Sequence, residues 1–282
     1  MSSSRGEITH VSDTALLAAA CRALESESSD GFVRDPFALQ LAGERGLEIL
    51  RSLPEPQYMT FDIGVRSHFI DEMLLETLAA KPIATVLSLG CGLDTRPWRL
   101  ELPPDLCWIE ADFAAILDYK DAVLSAEAPR CRREQLAADL NDAGQRRALY
   151  ATVGPAEALL ITEGLLMYLP SATVEALALE SRRHGGITSW IADITTAALE
   201  KAIDRDTPPS VRKVRAADAL DGEQILGTLR RHHWVTDACR SCITDMAFAN
   251  QRAQHLFGYR PQPAGPPLRE DDPTGVHRFA RE

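Results

Sequence analysis

Short apolar runs alternate with helix-like stretches through the middle of the chain. Five runs have the length and composition of buried strands, at 85–89, 106–109, 133–138, 158–161 and 187–191. Three stretches with a helical spacing of apolar residues separate the last four runs, at 113–126, 142–152 and 171–183. This alternation predicts βαβ units and a parallel sheet, in which right-handed crossovers bring the C-terminal ends of the strands to one edge. We expect a ligand along that edge.

The first 80 residues show a different pattern, with helical spacing and no convincing strand. The helical stretches lie at 14–27, 36–50 and 66–80. We expect a helical cap at 1–80 over the ligand edge of an α/β domain at 81–282, within one continuous unit. Substrate-side insertions are expected near 204–220 and 244–274, and 276–280 is a candidate antiparallel edge strand. The predicted fold class is therefore α/β, with a doubly wound and mostly parallel sheet.

Composition and charge limit the kinds of partner. The chain has 282 residues, of which 45% are hydrophobic and 25% charged, as in an ordinary globular protein. Its formal net charge of −11 repels polyanions, so nucleic acid is not an expected partner. No apolar run reaches the roughly 18 residues of a membrane span, and residues 1–13 lack the apolar core of a signal peptide. We expect a cytoplasmic protein that acts on small molecules, and the oligomeric state stays open.

A lone C-x-x-C pair, Cys239-Arg-Ser-Cys242, is the one candidate for metal chemistry in the sequence. His232 and His233 lie a few residues upstream. A structural zinc site needs four ligands in register, and the sequence contains no second C-x-x-C and no H-x₃-H. We therefore expect no metal and interpret these cysteines as strand and loop residues.

A glycine turn follows the first predicted strand. Gly90 ends that strand, and Gly92 allows the backbone to pass close to a bound cofactor. A nicotinamide fingerprint has a third glycine at the position that Thr95 occupies here. Asp94 is unfavourable beside a pyrophosphate but suits a cofactor that carries an ammonium and a sulfonium group. The turn therefore favours a sulfonium cofactor over a dinucleotide.

Acidic residues close the later strands. Asp112 follows the glycine turn by about 20 residues, the spacing at which a carboxylate binds both hydroxyls of a ribose; its alternative role is to cap the helix that follows. Asp139 and Leu140 offer a carboxylate and an apolar side chain to an adenine. Glu163 ends the fourth strand, where it is either part of the site or a solvated strand end. These residues define a candidate cofactor site.

Two blocks of the chain are specific enough to suggest a family. They are Leu89-Gly-Cys-Gly-Leu-Asp-Thr-Arg96 and Thr162-Glu-Gly-Leu-Leu-Met-Tyr-Leu169. Supporting stretches are Thr14-Ala15, Arg22-Ala-Leu-Glu25, Asp35-Pro36, Arg66, Ile70-Asp71, Trp108-Ile-Glu-Ala-Asp112, Lys120 and Asp139-Leu140. Together they resemble the leucine carboxyl methyltransferase and polyketide O-methyltransferase superfamily, in the family's order from residue 14 to residue 169. The resemblance implies a class I methyltransferase with a Rossmann-like sheet, an N-terminal helical cap and S-adenosylmethionine as cofactor.

The resemblance also implies roles for individual residues. Arg66 would hold the methionine carboxylate, with Glu163 near the ammonium group and Gly90 against the cofactor's backbone. Asp112 would bind the ribose, while Asp139 and Leu140 would flank the adenine. Arg22 stands where the family places a basic residue over the cofactor. A departure follows in the C-terminal half, where His233-Trp234 stands in place of the glycine that relatives often show before the tryptophan; this leaves the substrate open.

The expected function is O-methylation of a small molecule, on a carboxylate or phenol of a natural-product intermediate. A carboxylate acceptor is already ionised at neutral pH, whereas a phenol, with a pKa near about 10, benefits from a general base. No histidine is placed as such a base: His68 fits a structural helix position and His184 a helix C-terminus. Tyr168 and Arg96 are the candidates for orienting the acceptor, with Tyr168 equally suited to packing.

Two alternatives remain at the level of the sequence. One is a catalytically silent protein that binds S-adenosylmethionine, which turnover on any acceptor would exclude. The other is a nicotinamide-dependent oxidoreductase, which Thr95 and the missing Y-x-x-x-K arrangement disfavour.

Overall fold

A computed structural model describes residues 11–197, 215–241 and 272–282. The helices are α1 (Val11–Glu27), α2 (Ala38–Ser52), α3 (Pro56–Ala80), α4 (Arg96–Arg99), α5 (Ala114–Val123), α6 (Ala143–Thr152), α7 (Ser171–Arg183) and α8 (Gly222–Arg231). The strands are β1 (Thr85–Leu89), β2 (Cys107–Asp112), β3 (Arg132–Ala137), β4 (Ala158–Thr162), β5 (Ile187–Ile194), β6 (Trp234–Arg240) and β7 (Gly275–Arg281). Most of the two predicted insertions, at 204–220 and 244–274, lies outside the described residues.

The seven described strands form one sheet, in the order β3-β2-β1-β4-β5-β7-β6. The first five run parallel, with Thr85 paired to Cys107 on one side and to Ala158 on the other. This confirms the predicted doubly wound sheet, whose order reverses between β1 and β4. The predicted antiparallel strand near the C-terminus is confirmed as β7, which is antiparallel to both β5 and β6. The outermost position at this end belongs to β6, which contains Cys239 and for which no strand bounds were predicted.

Helices cover both faces of the sheet because successive strand residues point to opposite sides. Val86 and Leu159 join α3 residues such as Phe69 in one hydrophobic cluster. Their neighbours Leu87 and Leu160 join residues of α6, α7 and α8 in another. The sheet is thus the middle layer of three.

The third helix is longer than predicted and does more than cap the ligand edge. It begins at Pro56 instead of residue 66, and its C-terminal half packs on the sheet face. Gly64 obscured the N-terminal half, because glycine lowers the helical signal of a sequence. This glycine is needed for packing, since a Cβ atom at position 64 would lie 2.8 Å from the side chain of Glu25 in α1. The N-terminal half of α3 is the part that reaches the ligand edge.

A buried polar contact joins the first two helices to the glycine turn. The Arg22 guanidinium donates to Asp35 at 2.9 Å and to the carbonyl oxygen of Leu93 at 2.7 Å. Thr95 donates to the same Asp35 carboxylate at 2.7 Å. Leu93 also belongs to the hydrophobic cluster of α1 and α2. The hydrophobic core thus includes residues on both sides of residue 80. The boundary at that residue between a helical cap and an α/β domain stays a prediction.

The turn between α8 and β6 explains the departure noted at His233. This residue has a φ of 60°, in the left-handed region that glycine adopts without steric cost. We expect His233→Gly to raise the free energy of unfolding by about 0.5 to 1 kcal/mol. Urea unfolding checks the value, with His233→Ala as the control because alanine keeps the Cβ atom that causes the strain. A glycine variant no more stable than the alanine variant would contradict this explanation.

The candidate metal pair is described only in part, because Cys242 lies outside the described residues. Cys239 lies in β6, with its Sγ 3.5 Å from Nε2 of His277. The same ring nitrogen lies 2.7 Å from the carbonyl oxygen of Pro273. Within the described ranges, no group of three or more His, Cys, Asp or Glu side chains is placed to hold a metal ion. None of the described helices is long and apolar enough to span a bilayer.

Candidate active site

A cavity of about 630 Å³ opens at the carboxyl edge of the parallel strands. Its floor is formed by the residues that follow β1, β2, β3 and β4, and its walls by α1 and the N-terminal half of α3. The segment 167–170, with Arg215 and Ala216, closes the side beyond β4. Such a volume is within the range that small-molecule sites occupy, about 300 to 1,000 Å³. The predicted ligand edge and the observed cavity coincide.

The glycine turn has the backbone that the sequence predicts. Gly90 and Gly92 have φ values of 58° and 50°, both in the left-handed region. A Cβ atom at position 90 would lie 2.7 Å from the side chain of Leu165, which follows β4. The turn therefore requires glycine at Gly90 for conformation and for space, and its backbone faces the cavity directly.

Asp112 is held at the cavity by two backbone N–H groups. Gly92 donates to its Oδ2 at 2.7 Å, and Phe113 donates to its Oδ1 at 2.7 Å. Burial raises the pKa of Asp112, and these two donors oppose the rise. The first turn of α5 has no side-chain cap, so the alternative role of Asp112 as a helix cap is wrong. The carboxylate is fixed at the position where the resemblance expects the ribose.

Asp139 and Leu140 follow β3 and line the same cavity. Oδ1 of Asp139 accepts a hydrogen bond from the Asn141 N–H at 2.9 Å. The Asp139 N–H in turn donates to the side chain of Gln145 at 2.8 Å. These bonds fix the loop before α6, so that a carboxylate and a buried apolar side chain face the cavity next to Asp112.

Glu163 lies between two guanidinium groups and is not a solvated strand end. Its Oε2 accepts from Arg96 at 2.6 Å, and its Oε1 from Arg66 at 3.2 Å. Burial alone would raise the pKa of Glu163, but the positive charges of Arg96 and Arg66 hold it well below its usual range. Arg66 also lies 3.5 Å from Asp193 at the end of β5. The structure thus brings Arg66 and Glu163 together, as the resemblance expects.

Arg96, a candidate for orienting the acceptor, has its charge paired within the protein. It is 2% exposed, and three carboxylates surround it, those of Asp71 at 2.6 Å, Glu163 at 2.6 Å and Asp94 at 3.2 Å. Its remaining nitrogen donates to the Ser67 carbonyl oxygen. Arg96 therefore holds Glu163 and the glycine turn; it also lines the cavity, and its role in orienting the acceptor stays a prediction. Asp94 lines the cavity with its charge already paired to Arg96.

Arg22 and Tyr168 both line the cavity, but they differ in whether their polar groups already have hydrogen-bond partners. The Arg22 guanidinium is engaged with Asp35 and Leu93, so it holds the glycine turn from the side of α1. Tyr168 ends a 3₁₀ turn at Leu166–Tyr168, and burial raises the pKa of its phenol. Its hydroxyl has no hydrogen-bond partner in the part of the chain that the structure describes. Tyr168 therefore remains available to contact an acceptor.

Two residues that line the cavity, Phe113 and Asp62, were missed from the sequence, as was Asp193, which pairs with the cavity residue Arg66 without lining the cavity itself. Asp193 closes β5 and accepts the Gly164 N–H at 2.7 Å, so the rule used for the other strand ends could have found it. Phe113 follows Asp112 and lies 43% exposed at the cavity. Asp62 faces the cavity from α3, in the half of that helix that was not predicted.

The chain matches the model of the leucine carboxyl methyltransferase family over residues 15–180. A protein of Streptomyces coelicolor, named for S-adenosyl-L-methionine-dependent methyltransferases, is 36% identical to it and covers 93% of each chain. A similarly named protein of Streptomyces avermitilis is 29% identical, also over 93% of each chain. Among solved structures, a DUF574 family protein from Streptomyces avermitilis has a TM-score of 0.56 at 14% identity, covering 94% of this chain and 97% of that one. That last likeness concerns the fold alone.

The fold and cavity are those of a Rossmann-like methyltransferase, and the chain belongs to the leucine carboxyl methyltransferase family. It is an S-adenosylmethionine-dependent methyltransferase. The residues at the cavity fit that cofactor. Glycine at Gly90 leaves room that a Cβ atom would fill, and carboxylates at Asp112 and Asp139 suit hydroxyl and amino groups. Arg66 beside Glu163 suits a group that carries both a carboxylate and an ammonium.

Proposed function

We propose that the protein transfers a methyl group to an oxygen atom of a small molecule. The observation that carries this proposal is the cavity itself, which has walls on the sides of α1, α3 and the segment 167–170. Its volume of about 630 Å³ suits the cofactor with one small acceptor. The formal net charge of −11 adds an argument against nucleic acid as the acceptor.

The cavity has two ends with different chemistry. The ends of β1, β2 and β3 carry the glycine turn, Asp112 and Asp139, which suit the adenosine part of the cofactor. The other end is formed by Tyr168, Arg215 and the N-terminal half of α3. Arg66 and Glu163 lie between them. An acceptor placed beside Tyr168 therefore reaches the cofactor where its methionine part is held.

The cofactor supplies a methyl group on a sulfonium, which makes that carbon electrophilic. The protein's contribution is alignment and exclusion of water, because a displacement of this kind needs the acceptor oxygen in line with the bond that breaks. Arg66 donates to Oε1 of Glu163 at 3.2 Å, and Arg96 donates to Oε2 at 2.6 Å, so the carboxylate is held through both oxygens. Tyr168 lines the cavity with a hydroxyl that has no partner among the described residues, and this hydroxyl can hold the acceptor.

Oxygen is favoured as the accepting atom by the family. The name of the matched family refers to methylation of a leucine carboxyl group, which takes place on oxygen. The cavity's volume of about 630 Å³ favours a small molecule over the C-terminus of a protein. No specific observation favours the silent binding protein, and the nicotinamide alternative lacks its third glycine at Thr95.

An acceptor screen tests the proposal. The protein is incubated with methyl-labelled S-adenosylmethionine and a panel of phenols, carboxylic acids, amines and thiols of one to three rings. We expect label in ethers or esters, and no transfer by Asp112→Ala at the same cofactor concentration. Transfer only to nitrogen or sulfur would overturn the proposed atom. Cofactor binding without transfer to any member, including peptides with a free C-terminus, would support the silent binding protein instead.

A further inference from the structure

Asp62 is a carboxylate in the cavity that the cofactor does not obviously need. It lies on α3 one helical turn before Arg66, so the two side chains share a face of the helix. Both line the cavity, together with Met59 and Ile63 from the same helix. This face of α3 forms part of the cavity wall.

The carboxylate of Asp62 differs from the other acidic side chains that line the cavity. Asp94, Asp112, Asp139 and Glu163 each accept at least one hydrogen bond from a side chain or backbone N–H. Among the described residues, Asp62 accepts none. The nearest cation, Arg66, directs its donors at Glu163 and Asp193. Asp62 thus lines the cavity with a carboxylate whose two oxygens accept no hydrogen bond from the described residues.

The surroundings of Asp62 place it at the acceptor end. Four groups lie close enough to interact with its charge: Arg66 on the same helix, Asp193 at the end of β5, Tyr168 in the 3₁₀ turn and Cys21 in α1. The adenosine-binding groups, at the ends of β1 to β3, are absent from this set. Burial raises the pKa of Asp62, Arg66 opposes the rise, and Asp193 adds to it. A carboxylate with a raised pKa is a better proton acceptor than an exposed one.

We infer that Asp62 receives the acceptor's proton, and that the acceptor is a neutral hydroxyl compound of the phenol or alcohol class and not a carboxylate. The inference rests on the proposed O-methylation. In the step, the O–H bond of the acceptor breaks and its proton passes to an oxygen of Asp62. The acceptor oxygen bonds to the methyl carbon as the S–CH₃ bond breaks, and its electron pair returns to sulfur. The products are a methyl ether, S-adenosylhomocysteine and protonated Asp62, which releases its proton to water.

A carboxylate acceptor fits this end of the cavity poorly. It would bring a third carboxylate beside Asp62 and Asp193, whereas Arg66 is already shared between Glu163 and Asp193. A phenol at neutral pH carries no charge and offers the O–H donor that Asp62 lacks. Tyr168 can hold the same acceptor oxygen from the other side.

Matched probes separate the two acceptor classes. Fluorescence titrations of the protein saturated with S-adenosylhomocysteine use 2-naphthol and 2-naphthoate, which share one ring system. We expect wild type to bind 2-naphthol at least about tenfold more tightly than 2-naphthoate. In Asp62→Asn, 2-naphthoate should gain about tenfold in affinity, while S-adenosylhomocysteine affinity should stay within about twofold. Methyl transfer to 2-naphthol should fall by about a hundredfold or more in kcat.

Two further variants keep the test decisive. Glu76→Gln removes one charge from the exposed face of the same helix, where Glu76 pairs with Arg240, and should change neither probe's affinity. Asp62→Glu retains a carboxylate and should recover part of the methyl transfer. The unchanged affinity of Asp62→Asn for S-adenosylhomocysteine also shows that this variant is folded.

Three results would overturn the inference. The first is a wild type that binds both probes equally, with a ratio unchanged in Asp62→Asn. The second is loss of S-adenosylhomocysteine affinity in Asp62→Asn with that ratio unchanged, which would make Asp62 a cofactor ligand. The third is methylation of 2-naphthoate at equal rates by wild type and Asp62→Asn. That result would contradict the role of Asp62 but would agree with O-methylation. If the proposed function itself is wrong, the acceptor screen shows methyl transfer only to nitrogen or sulfur. That result would also overturn the inference about Asp62.

Discussion

Replacing Glu163 with Gln should weaken S-adenosylhomocysteine binding by about a hundredfold and lower the free energy of unfolding by about 3 kcal/mol. The side chain lies between Arg96 at 2.6 Å and Arg66 at 3.2 Å, so its loss leaves one buried and one partly buried cation incompletely compensated. It also removes the carboxylate that the family resemblance places near the ammonium group. Titration calorimetry measures the first effect, and urea unfolding measures the second.

Glu180→Gln is the matched control for this substitution. Glu180 also pairs with an arginine through both oxygens, at 2.9 Å and 3.0 Å, but it lies outside the cavity. We expect its affinity for S-adenosylhomocysteine to equal that of wild type. Equal losses of affinity in the two variants would contradict a specific role for Glu163.

The same carboxylate should make stability depend on acid pH. The pKa of Glu163 in the folded protein is lower than its ordinary value of 4.5, so its contribution to the free energy of unfolding is complete above that value. The contribution is lost as the pH falls below about 4.5 towards the folded pKa. The stability difference between wild type and Glu163→Gln should therefore shrink below that pH. A difference that stays constant down to acid pH would contradict the ion pairs.

Replacing Lys120 with Met should lower the free energy of unfolding by about 3 kcal/mol. Lys120 is fully buried on α5, with its Nζ 2.8 Å from Glu110 and 3.2 Å from the carbonyl oxygen of Asp94. Methionine fills similar space but leaves Glu110, which is also buried, with Arg133 as its remaining partner. Because the lysine also holds the glycine turn at Asp94, affinity for S-adenosylhomocysteine should fall as well.

Arg132→Met is the control for Lys120→Met. Arg132 forms an ion pair with Glu134 at 2.9 Å, and both side chains are largely exposed. Its loss should change the free energy of unfolding by at most about 0.5 kcal/mol, because exposed pairs contribute little. Urea unfolding of the two variants measures the contrast. A Lys120 variant as stable as the Arg132 variant would show that the buried pair does not stabilise the fold.

The parallel part of the sheet could be predicted because β1, β2, β4 and β5 are mostly buried apolar runs; the polar edge strand β3 gave a weaker signal. Leu87 and Leu160 show this, since both lie in the middle of three layers and are fully buried. The carboxyl ends of such strands share one edge, so Asp112, Asp139 and Glu163 could be assigned to one site before any coordinates. Each of these three side chains lines the observed cavity.

Strand β6 and the contacts of Arg96 and Asp62 had no comparable pattern in the sequence. Strand β6 begins directly after His233, whose left-handed conformation turns the chain without the glycine or proline that usually marks a turn. Arg96 follows the glycine turn in sequence, but only the fold brings Asp71 from α3 beneath it. Asp62 lies in a half-helix that Gly64 obscured. Side chains that act through contacts distant in sequence thus escaped prediction, whereas the strand-end residues Asp112, Asp139 and Glu163 did not.

The most direct test of the cofactor site is calorimetric titration with S-adenosylmethionine, S-adenosylhomocysteine and NADH, on wild type and on Asp112→Ala. Asp112 is fixed by the N–H groups of Gly92 and Phe113 at 2.7 Å each, so its loss removes a fixed carboxylate that the family resemblance assigns to the ribose. We expect both adenosyl ligands to bind wild type, NADH to show no binding, and the substitution to cost about 2 to 3 kcal/mol, tenfold to a hundredfold in affinity. Adenosyl binding of equal strength in wild type and variant would contradict the assigned site.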